Sequence, residues 1–328
     1  MNRLPPSIAQ TGPRRPRTAV TVRVQSGSRR SNTWLLAALV IALAACNAGT
    51  EEARRQMQDC EGGDVEACNA FGDRLQRGEN VLRDATRAAA MFERACDGGV
   101  AESCARLGVM YQDSVGVAGD LGRAAILYRQ ACEGGEMDGC ARLGLLHRDG
   151  VGVMEDVATA VGLFERACTG GRMAACSNLG LHYLTGDGVG RDAARAAGLF
   201  EQACNGDVLA GCYELGRLHA AGEGVVRDAA GAAELYDKAC EGRHAAACFQ
   251  LGDLYATGTG VAQNFERAAE LYQSACNGRH GEGCYALGVL HQNGTGVERI
   301  PSRAAALFRR ACDLDYAAAC SDDDATTS

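Results

Sequence analysis

The sequence predicts an all-α protein, a right-handed α/α superhelix (solenoid) of seven helical hairpins with 36 residues each. Two observations predict this fold. A pair of cysteines separated by seven residues recurs along the chain, and each pair begins 36 residues after the previous one. Between the pairs, apolar residues recur at spacings of three and four, which is typical of amphipathic helices. We expect residues 51–320 to form one elongated body that grows by stacking.

Residues 1–45 have the composition of an export signal. Residues 1–33 carry seven arginines and no acidic residue, and a mainly apolar run of twelve residues, 34–45, follows them. Twelve residues are too few to cross a hydrocarbon core as a helix, since this takes about 20. The segment therefore predicts a signal peptide with a basic region and an apolar core.

The four residues 43–46, Leu-Ala-Ala-Cys, resemble a bacterial lipobox, which predicts cleavage before Cys46 and lipidation of its thiol. A conventional signal peptide with an incidental cysteine is the alternative. Residues 46–50 would be the anchor and a linker that keeps the first repeat close to the bilayer. Asn47 is not the Asp that retains lipoproteins at an inner membrane, so we expect attachment to the outer membrane, facing the periplasm or the surface.

The charge of the chain limits its partners. The sequence has 41 acidic and 33 basic residues and a net charge of −8. Nucleic-acid-binding proteins carry basic patches, so no nucleic-acid partner is expected. Lys238 is the single lysine, and the arginines of residues 1–33 would leave with the signal peptide. We expect contact with the membrane through the lipid anchor only.

Each repeat predicts two helices joined by a glycine-containing turn, as the third repeat shows. Residues 137–149 predict a first helix, residues 150–153 predict the turn, and Asp156 predicts the N-cap of a second helix. The residues of the second helix expected to face inward are Ala160, Leu163, Phe164 and Ala167.

Two columns of residues recur at fixed offsets in all seven repeats. Glycine inside a helix costs about 1 kcal/mol relative to alanine, so a glycine column indicates close contact where no side chain fits. The glycines of the first helices are Gly72, Gly108, Gly144, Gly180, Gly216, Gly252 and Gly288. The aromatic residues of the second helices are Phe92, Tyr128, Phe164, Phe200, Tyr236, Tyr272 and Phe308. Small residues opposite large ones predict interlocking side chains.

The recurring string [LF]-G-x-x-[YH]-x-x-G-x-G-V-x-x-D, followed by A-x-x-[LM]-[FY]-x-x-A, resembles the Sel-one-like repeat, a relative of the tetratricopeptide repeat. A cysteine-rich exported subgroup of that family adds the Cys-x₇-Cys pair. The resemblance covers residues 51–320. The first repeat departs from it at Asn80, which replaces a turn glycine, and the last departs at Ile300 and Pro301, where Asp should cap the second helix. Residues 321–328 predict a disordered acidic tail.

The cysteine pairs predict disulfides between consecutive units. Cys96 ends one second helix and Cys104 begins the next first helix, and a glycine turn can bring such positions within the roughly 4.4 to 6.8 Å that a disulfide needs. Zinc is the alternative, although it usually needs closer cysteine spacing and a reducing compartment. The predicted disulfide cysteines are Cys60, Cys68, Cys96, Cys104, Cys132, Cys140, Cys168, Cys176, Cys204, Cys212, Cys240, Cys248, Cys276, Cys284, Cys312 and Cys320.

Histidine offers no catalytic or metal centre in the sequence. His147, His219 and His291 share one column of the first helices, where residues two units apart should lie roughly 36 Å from each other. We interpret them as packing residues and expect no metal site. His244 and His280 follow arginines in equivalent turns, and we interpret them as solvated, with anion contact as the alternative.

The exported subgroup is often described as penicillin-binding or β-lactamase-like. Serine enzymes of that class need Ser-x-x-Lys, but no serine stands three residues before Lys238, and the zinc motif His-x-His-x-Asp is absent. The sequence therefore leans against an enzyme, and no catalytic residue or cofactor is expected.

Aromatic residues directly after the second cysteine of three late repeats, Tyr213, Phe249 and Tyr285, predict a binding stripe for an extended peptide. Alternatively, these rings only cover neighbouring helices. The predicted function is a non-catalytic lipid-anchored scaffold of the bacterial cell envelope that binds a protein, peptide or cell-wall ligand. The alternatives are a β-lactam- or peptidoglycan-fragment-binding protein with weak hydrolase activity, and a passive envelope spacer.

Overall fold

A computed structural model describes residues 49–320 of the chain. The predicted signal peptide, Cys46 and the acidic tail lie outside the described residues. The chain divides into two compact units, Met1–Glu51 and Glu52–Ser328, and the repeats all belong to the second unit. Every regular element within residues 49–320 is a helix, which confirms the predicted fold class.

Seven hairpins follow α1, which covers residues 52–61 of the second unit. Their first helices are α2 (Val65–Arg77), α4 (Ala101–Asp113), α6 (Met137–Asp149), α8 (Met173–Thr185), α10 (Leu209–Ala221), α12 (Ala245–Thr257) and α14 (Gly281–Asn293). Their second helices are α3 (Ala85–Asp97), α5 (Leu121–Glu133), α7 (Val157–Thr169), α9 (Ala193–Asn205), α11 (Ala229–Glu241), α13 (Phe265–Asn277) and α15 (Pro301–Cys312). The short helix α16 (Ala317–Cys320) packs on α15.

The helix boundaries follow from the residues at the turns. Asp156 accepts a hydrogen bond from the backbone N–H of Thr159 at 2.9 Å and caps α7, as predicted. Most turn positions with a left-handed backbone hold glycine, and six other residues of 49–320 adopt it as well. Asn80 is one of them, with φ 58°, a conformation that asparagine tolerates. At the last hairpin, Ile300 gives no side-chain cap, but Pro301 supplies a preset first helical residue.

The glycine column lies directly against the aromatic column of the same hairpin. A Cβ atom added to Gly144 would lie 2.8 Å from Cε1 of Phe164, a ring with no exposed surface. In all seven hairpins the corresponding distance is between 2.5 and 2.8 Å. The predicted close contact is confirmed, and the structure identifies the ring of the second helix as the side chain that excludes any residue larger than glycine.

One expected core residue of the third hairpin is placed differently. Ala160, Phe164 and Ala167 are fully buried, but Leu163 is only half-buried, and Val161 takes its place in the core. Positions 161 and 168 lie two turns apart on one edge of α7, where this helix meets the following repeat. The buried face of α7 is therefore rotated toward the next repeat, which the pattern of a single hairpin does not show.

Gly144→Ala is expected to destabilise the protein by about 1–2 kcal/mol, because a methyl group cannot fit against the buried ring of Phe164. Gly162→Ala in α7 is the matched control, since no atom lies within 4 Å of the added Cβ. The control should stabilise by about 0.4–1 kcal/mol. Thermal unfolding followed by circular dichroism, with the disulfides intact, measures both. Equal melting temperatures for the two variants would contradict the proposed contact.

Candidate functional site

Each disulfide joins one unit to the first helix of the next. Cys96 in α3 is bonded to Cys104 in α4, and the equivalent pairs are bonded at all eight junctions from Cys60–Cys68 to Cys312–Cys320. The Cα atoms lie 4.5 to 4.9 Å apart. The predicted inter-unit disulfides are confirmed. The zinc alternative is wrong for these cysteines because their sulfur atoms are bonded to one another.

The single lysine serves one of these junctions. Lys238 Nζ donates a hydrogen bond to the carbonyl oxygen of Cys204 at 2.8 Å and lies 3.1 Å from the carboxylate of Asp207. Arg310 donates to the carbonyl oxygen of Cys276 at 3.0 Å in the same way. Both cations therefore satisfy carbonyl groups at the C-terminal end of the preceding second helix, where positive charge is favourable.

The three residues predicted to bind a partner occupy one position on three consecutive first helices. Tyr213, Phe249 and Tyr285, named here the aromatic stripe, lie on α10, α12 and α14 and are all half-buried. Each ring packs against the aromatic ring of its own second helix. The centroid distances are 6.0 Å from Tyr213 to Tyr236, 5.8 Å from Phe249 to Tyr272 and 5.2 Å from Tyr285 to Phe308.

A second ring from the following repeat covers each stripe residue. His244 lies 4.7 Å from Tyr213, His280 lies 4.9 Å from Phe249, and Tyr316 lies 5.3 Å from Tyr285, measured between centroids. The stripe therefore takes part in intrachain packing, as the alternative interpretation expected, and part of each ring stays accessible to solvent. Partner binding by these rings stays a prediction.

The interpretation of His244 and His280 as solvated turn residues is wrong. Both are half-buried N-caps whose Nδ1 atoms accept hydrogen bonds at 3.3 Å from the backbone N–H groups of Ala247 and Gly283. Their backbones are extended, which lets each ring fold back over the preceding repeat. Burial lowers the pKa of both imidazoles, so the neutral ring is favoured.

Carboxylates surround the stripe. Asp253 accepts a hydrogen bond from Tyr272 Oη at 2.6 Å, and Glu282 lies 3.3 Å from His280 Nε2. Burial raises the pKa of Asp253, and the nearby charge of Glu282 raises it further. At the Tyr213 end of the stripe, Arg217 pairs with Glu214 at 2.8 Å, and the Arg217 guanidinium lies 6.0 Å from the centre of the Tyr213 ring.

The first helices of the early repeats carry a different surface. Ala105, Ala141 and Ser177 occupy the position of the stripe there, so no ring projects from it. A cavity of about 240 Å³ lies between the second and third repeats, and its lining includes Arg106 and Arg142 together with three acidic residues. The early repeats thus present charged residues, including arginines, where the late repeats present aromatic rings with carboxylates.

The histidine column behaves as the sequence suggested for packing residues. His291 is 4% exposed, and its Nδ1 lies 3.0 Å from the carbonyl oxygen of Glu298. His182 in α8 was not predicted from the sequence. It lies one position before Tyr183, the residue that occupies the histidine column in this helix. Its ring stacks on Phe164 at 5.7 Å, and its Nδ1 lies 3.0 Å from the carbonyl oxygen of Asp187. The signal for this role was its place in a column of the first helices that is apolar in every other repeat except the first, which has Arg74.

A family model described as the Sel1 repeat matches seven consecutive segments, at residues 65–100, 101–136, 138–171, 174–208, 209–244, 245–280 and 281–316. The chain belongs to the Sel1 repeat family. The matched segments begin at the first helices of the hairpins, so the Sel1 unit is one hairpin. Six of the eight disulfides, from Cys96–Cys104 to Cys276–Cys284, join neighbouring units, and the other two join the first and last units to the flanking helices. The family that the sequence motifs resemble is therefore confirmed. Membership of the lipoprotein and β-lactamase-like subgroup stays a prediction.

Solved Sel1 structures share the architecture. The crystal structure of c5321, a protective antigen present in uropathogenic Escherichia coli strains and displaying an SLR fold, is 27% identical, with a TM-score of 0.75. That alignment covers 81% of this chain and 57% of c5321. A Sel1 repeat protein from Oxalobacter formigenes is 25% identical, with a TM-score of 0.69 and coverage of 81% of this chain and 77% of that one. No curated protein matches the chain.

Among residues 49–320, no helix combines the length and the apolar character that crossing a membrane requires.

Phe249→Ser is expected to raise the pKa of His280 toward its ordinary value, because the substitution exposes one face of that imidazole to water. His244 packs on Tyr213 instead, and its pKa, lowered by burial and by the charge of His280, should not rise, so it is an internal control. Tyr213→Ser should reverse the pattern. NMR titration of the two Cε1 proton signals measures both values. A substitution that changes the pKa values of both histidines equally, or of neither, would show that the ring contact is not what buries them.

Proposed function

We propose that this Sel1 repeat protein is a non-catalytic scaffold whose aromatic stripe binds an extended protein or peptide segment. The observation that carries the proposal is the placement of three partly accessible rings at one position of three consecutive first helices. An extended chain follows such a repeated surface naturally, and aromatic side chains dominate the energetics of many interfaces. Solenoid repeats of this family are consistent with a role in protein interaction.

The packing of the stripe favours binding because it limits the cost of ordering. Each ring is already held between a ring of its own hairpin and a ring or imidazole of the next repeat. A side chain fixed before binding loses little rotamer freedom when a partner arrives. Interaction by shape and apolar contact therefore needs no reactive group, and no contact within residues 49–320 favours hydrolysis of a β-lactam or a peptidoglycan fragment.

The location of the scaffold follows in part from its disulfides. Eight disulfides suit an oxidising, exported compartment. We propose further that Cys46 carries a lipid that attaches the protein to the outer membrane. The lipobox-like residues 43–46 support the lipid anchor, and Asn47, which is not the Asp that retains lipoproteins at an inner membrane, supports the outer membrane.

The variant with Tyr213, Phe249 and Tyr285 all changed to Ser is expected to lose capture of the partner in crosslinking and mass spectrometry on intact cells. Serine is acceptable at this position because Ser177 occupies it in the fourth repeat. A matched control changes Leu82, Met154 and Val226 to Ser, which removes three apolar turn side chains that are 87–91% exposed. Partner capture by the stripe variant at the level of the control, with both variants folded by circular dichroism, would refute the binding role.

Cys46→Ser is expected to abolish metabolic incorporation of a labelled fatty acid and to release the protein from the membrane fraction, because the thiol is the attachment point. Cys46→Ser should leave the disulfides unchanged, since this cysteine is not among the sixteen paired ones. Retention in the membrane fraction without label would indicate attachment by other means.

A further inference from the structure

We propose that the segment bound by the aromatic stripe is cationic, and that an arginine of the partner lies between the carboxylates of Asp253 and Glu282. This inference rests on the proposed function and adds the chemistry of the partner to it.

The chain itself contains the arrangement that this proposal needs. In the first two repeats, Arg106 donates hydrogen bonds to the carboxylates of both Asp73 and Glu102, with 2.7 Å to Glu102. Its guanidinium lies 5.7 Å from the centre of the Phe92 ring. One arginine thus bridges two carboxylates above an aromatic ring, which is a favourable site for a planar guanidinium.

The same positions recur five repeats later without the arginine. Asp253 corresponds to Asp73, Glu282 corresponds to Glu102, and Tyr272 corresponds to Phe92. The position of Arg106 is occupied by Ala286. Repeats six and seven therefore keep both carboxylates and the ring but do not supply the arginine from within the chain.

The partners of these two carboxylates within residues 49–320 are the His280 ring and the Tyr272 hydroxyl. In the described part of the chain, no arginine or lysine pairs with Asp253 or Glu282, and the histidine beside Glu282 has a lowered pKa. Arg217 is the single arginine or lysine of α10, α12 and α14, and it is paired with Glu214. Burial raises the pKa of Asp253 and the charge of Glu282 raises it further, and a cation from a partner would oppose both effects.

The aromatic surroundings extend the site toward the rest of the stripe. Phe249 lies between the Tyr272 ring, whose hydroxyl holds Asp253, and the His280 ring, which contacts Glu282. The first repeat has Asn69 at the position of Phe249, and its side chain donates to Glu102 at 3.1 Å. At this position repeats six and seven have a half-buried aromatic ring instead of the internal polar contact, which suits a partner that supplies both apolar contact and positive charge.

The arginine is preferred over lysine on geometric grounds. Arg106 donates from Nη1 to Asp73 and from both Nε and Nη2 to Glu102. The flat fork of a guanidinium can bridge two acceptors and stack on a ring at once, whereas an ammonium acts as a compact point charge. Arg142 in the third repeat also places its guanidinium 5.9 Å from a ring centre, that of Tyr128, so an arginine fits this position of the fold more than once.

The test is a selection of random twelve-residue peptides displayed on phage against the full exported chain, with the stripe variant used to remove peptides that do not need the aromatic stripe. We expect the remaining binders to be enriched in arginine. Their affinity should fall about tenfold for Ala286→Arg, whose own guanidinium would bridge Asp253 and Glu282, and by a similar factor for Asp253→Asn with Glu282→Gln.

A charge control removes two carboxylates from exposed positions on second helices, Glu201→Gln with Glu234→Gln, and should change the affinity less than about twofold. Stripe-dependent peptides without arginine enrichment, or with affinity unchanged by both site variants, would overturn the inference and leave the proposed function standing. The absence of any stripe-dependent peptide would overturn both. Arg106 and Arg142 show that the fold accepts arginine at this position, and circular dichroism verifies folding of each variant.

Discussion

The disulfide at each junction is the constraint on which the rest of the structure depends. It joins the end of one second helix to the beginning of the next first helix and closes a loop of nine residues, which corresponds to about 2.5 kcal/mol in the chain-entropy model. Helical hairpins of 36 residues bury little apolar surface alone, so their stability comes from stacking. The covalent bond fixes the stacking at every step. It also fixes Phe249, which follows the bonded Cys248 directly.

Within each hairpin, a glycine allows the close helix contact that positions the surface side chains. Gly252 allows the Tyr272 ring to lie against α12. That ring contacts Phe249, and its hydroxyl donates a hydrogen bond to Asp253. His280 completes the arrangement from the next repeat. The surface of repeats six and seven is therefore a consequence of one close helix contact and one disulfide, and it needs no loop or cofactor to hold its shape.

The periodic features of the fold could be predicted from sequence because every repeat tests them again. The helix from Met137 to Asp149 and the capping role of Asp156 follow from local rules, and the glycine column follows from a recurring cost that only a contact can explain. The stacking of His244 and His280 could not be predicted in this way. It depends on how far one repeat reaches over the previous one, a distance of 31 residues in sequence and 4.7 to 4.9 Å in space.

Differences between equivalent positions carry the functional information in such a protein. Arg106 and Ala286 occupy the same place in the fold, and only the structure shows that the arginine bridges two carboxylates of different repeats. This comparison is valid only if the disulfides fix the register between neighbouring repeats. Titration of free thiols in the unreduced, denatured protein from an oxidising compartment tests that register most directly. The account predicts at most one thiol per molecule, that of Cys46 if it carries no lipid. Two or more thiols per molecule would contradict it.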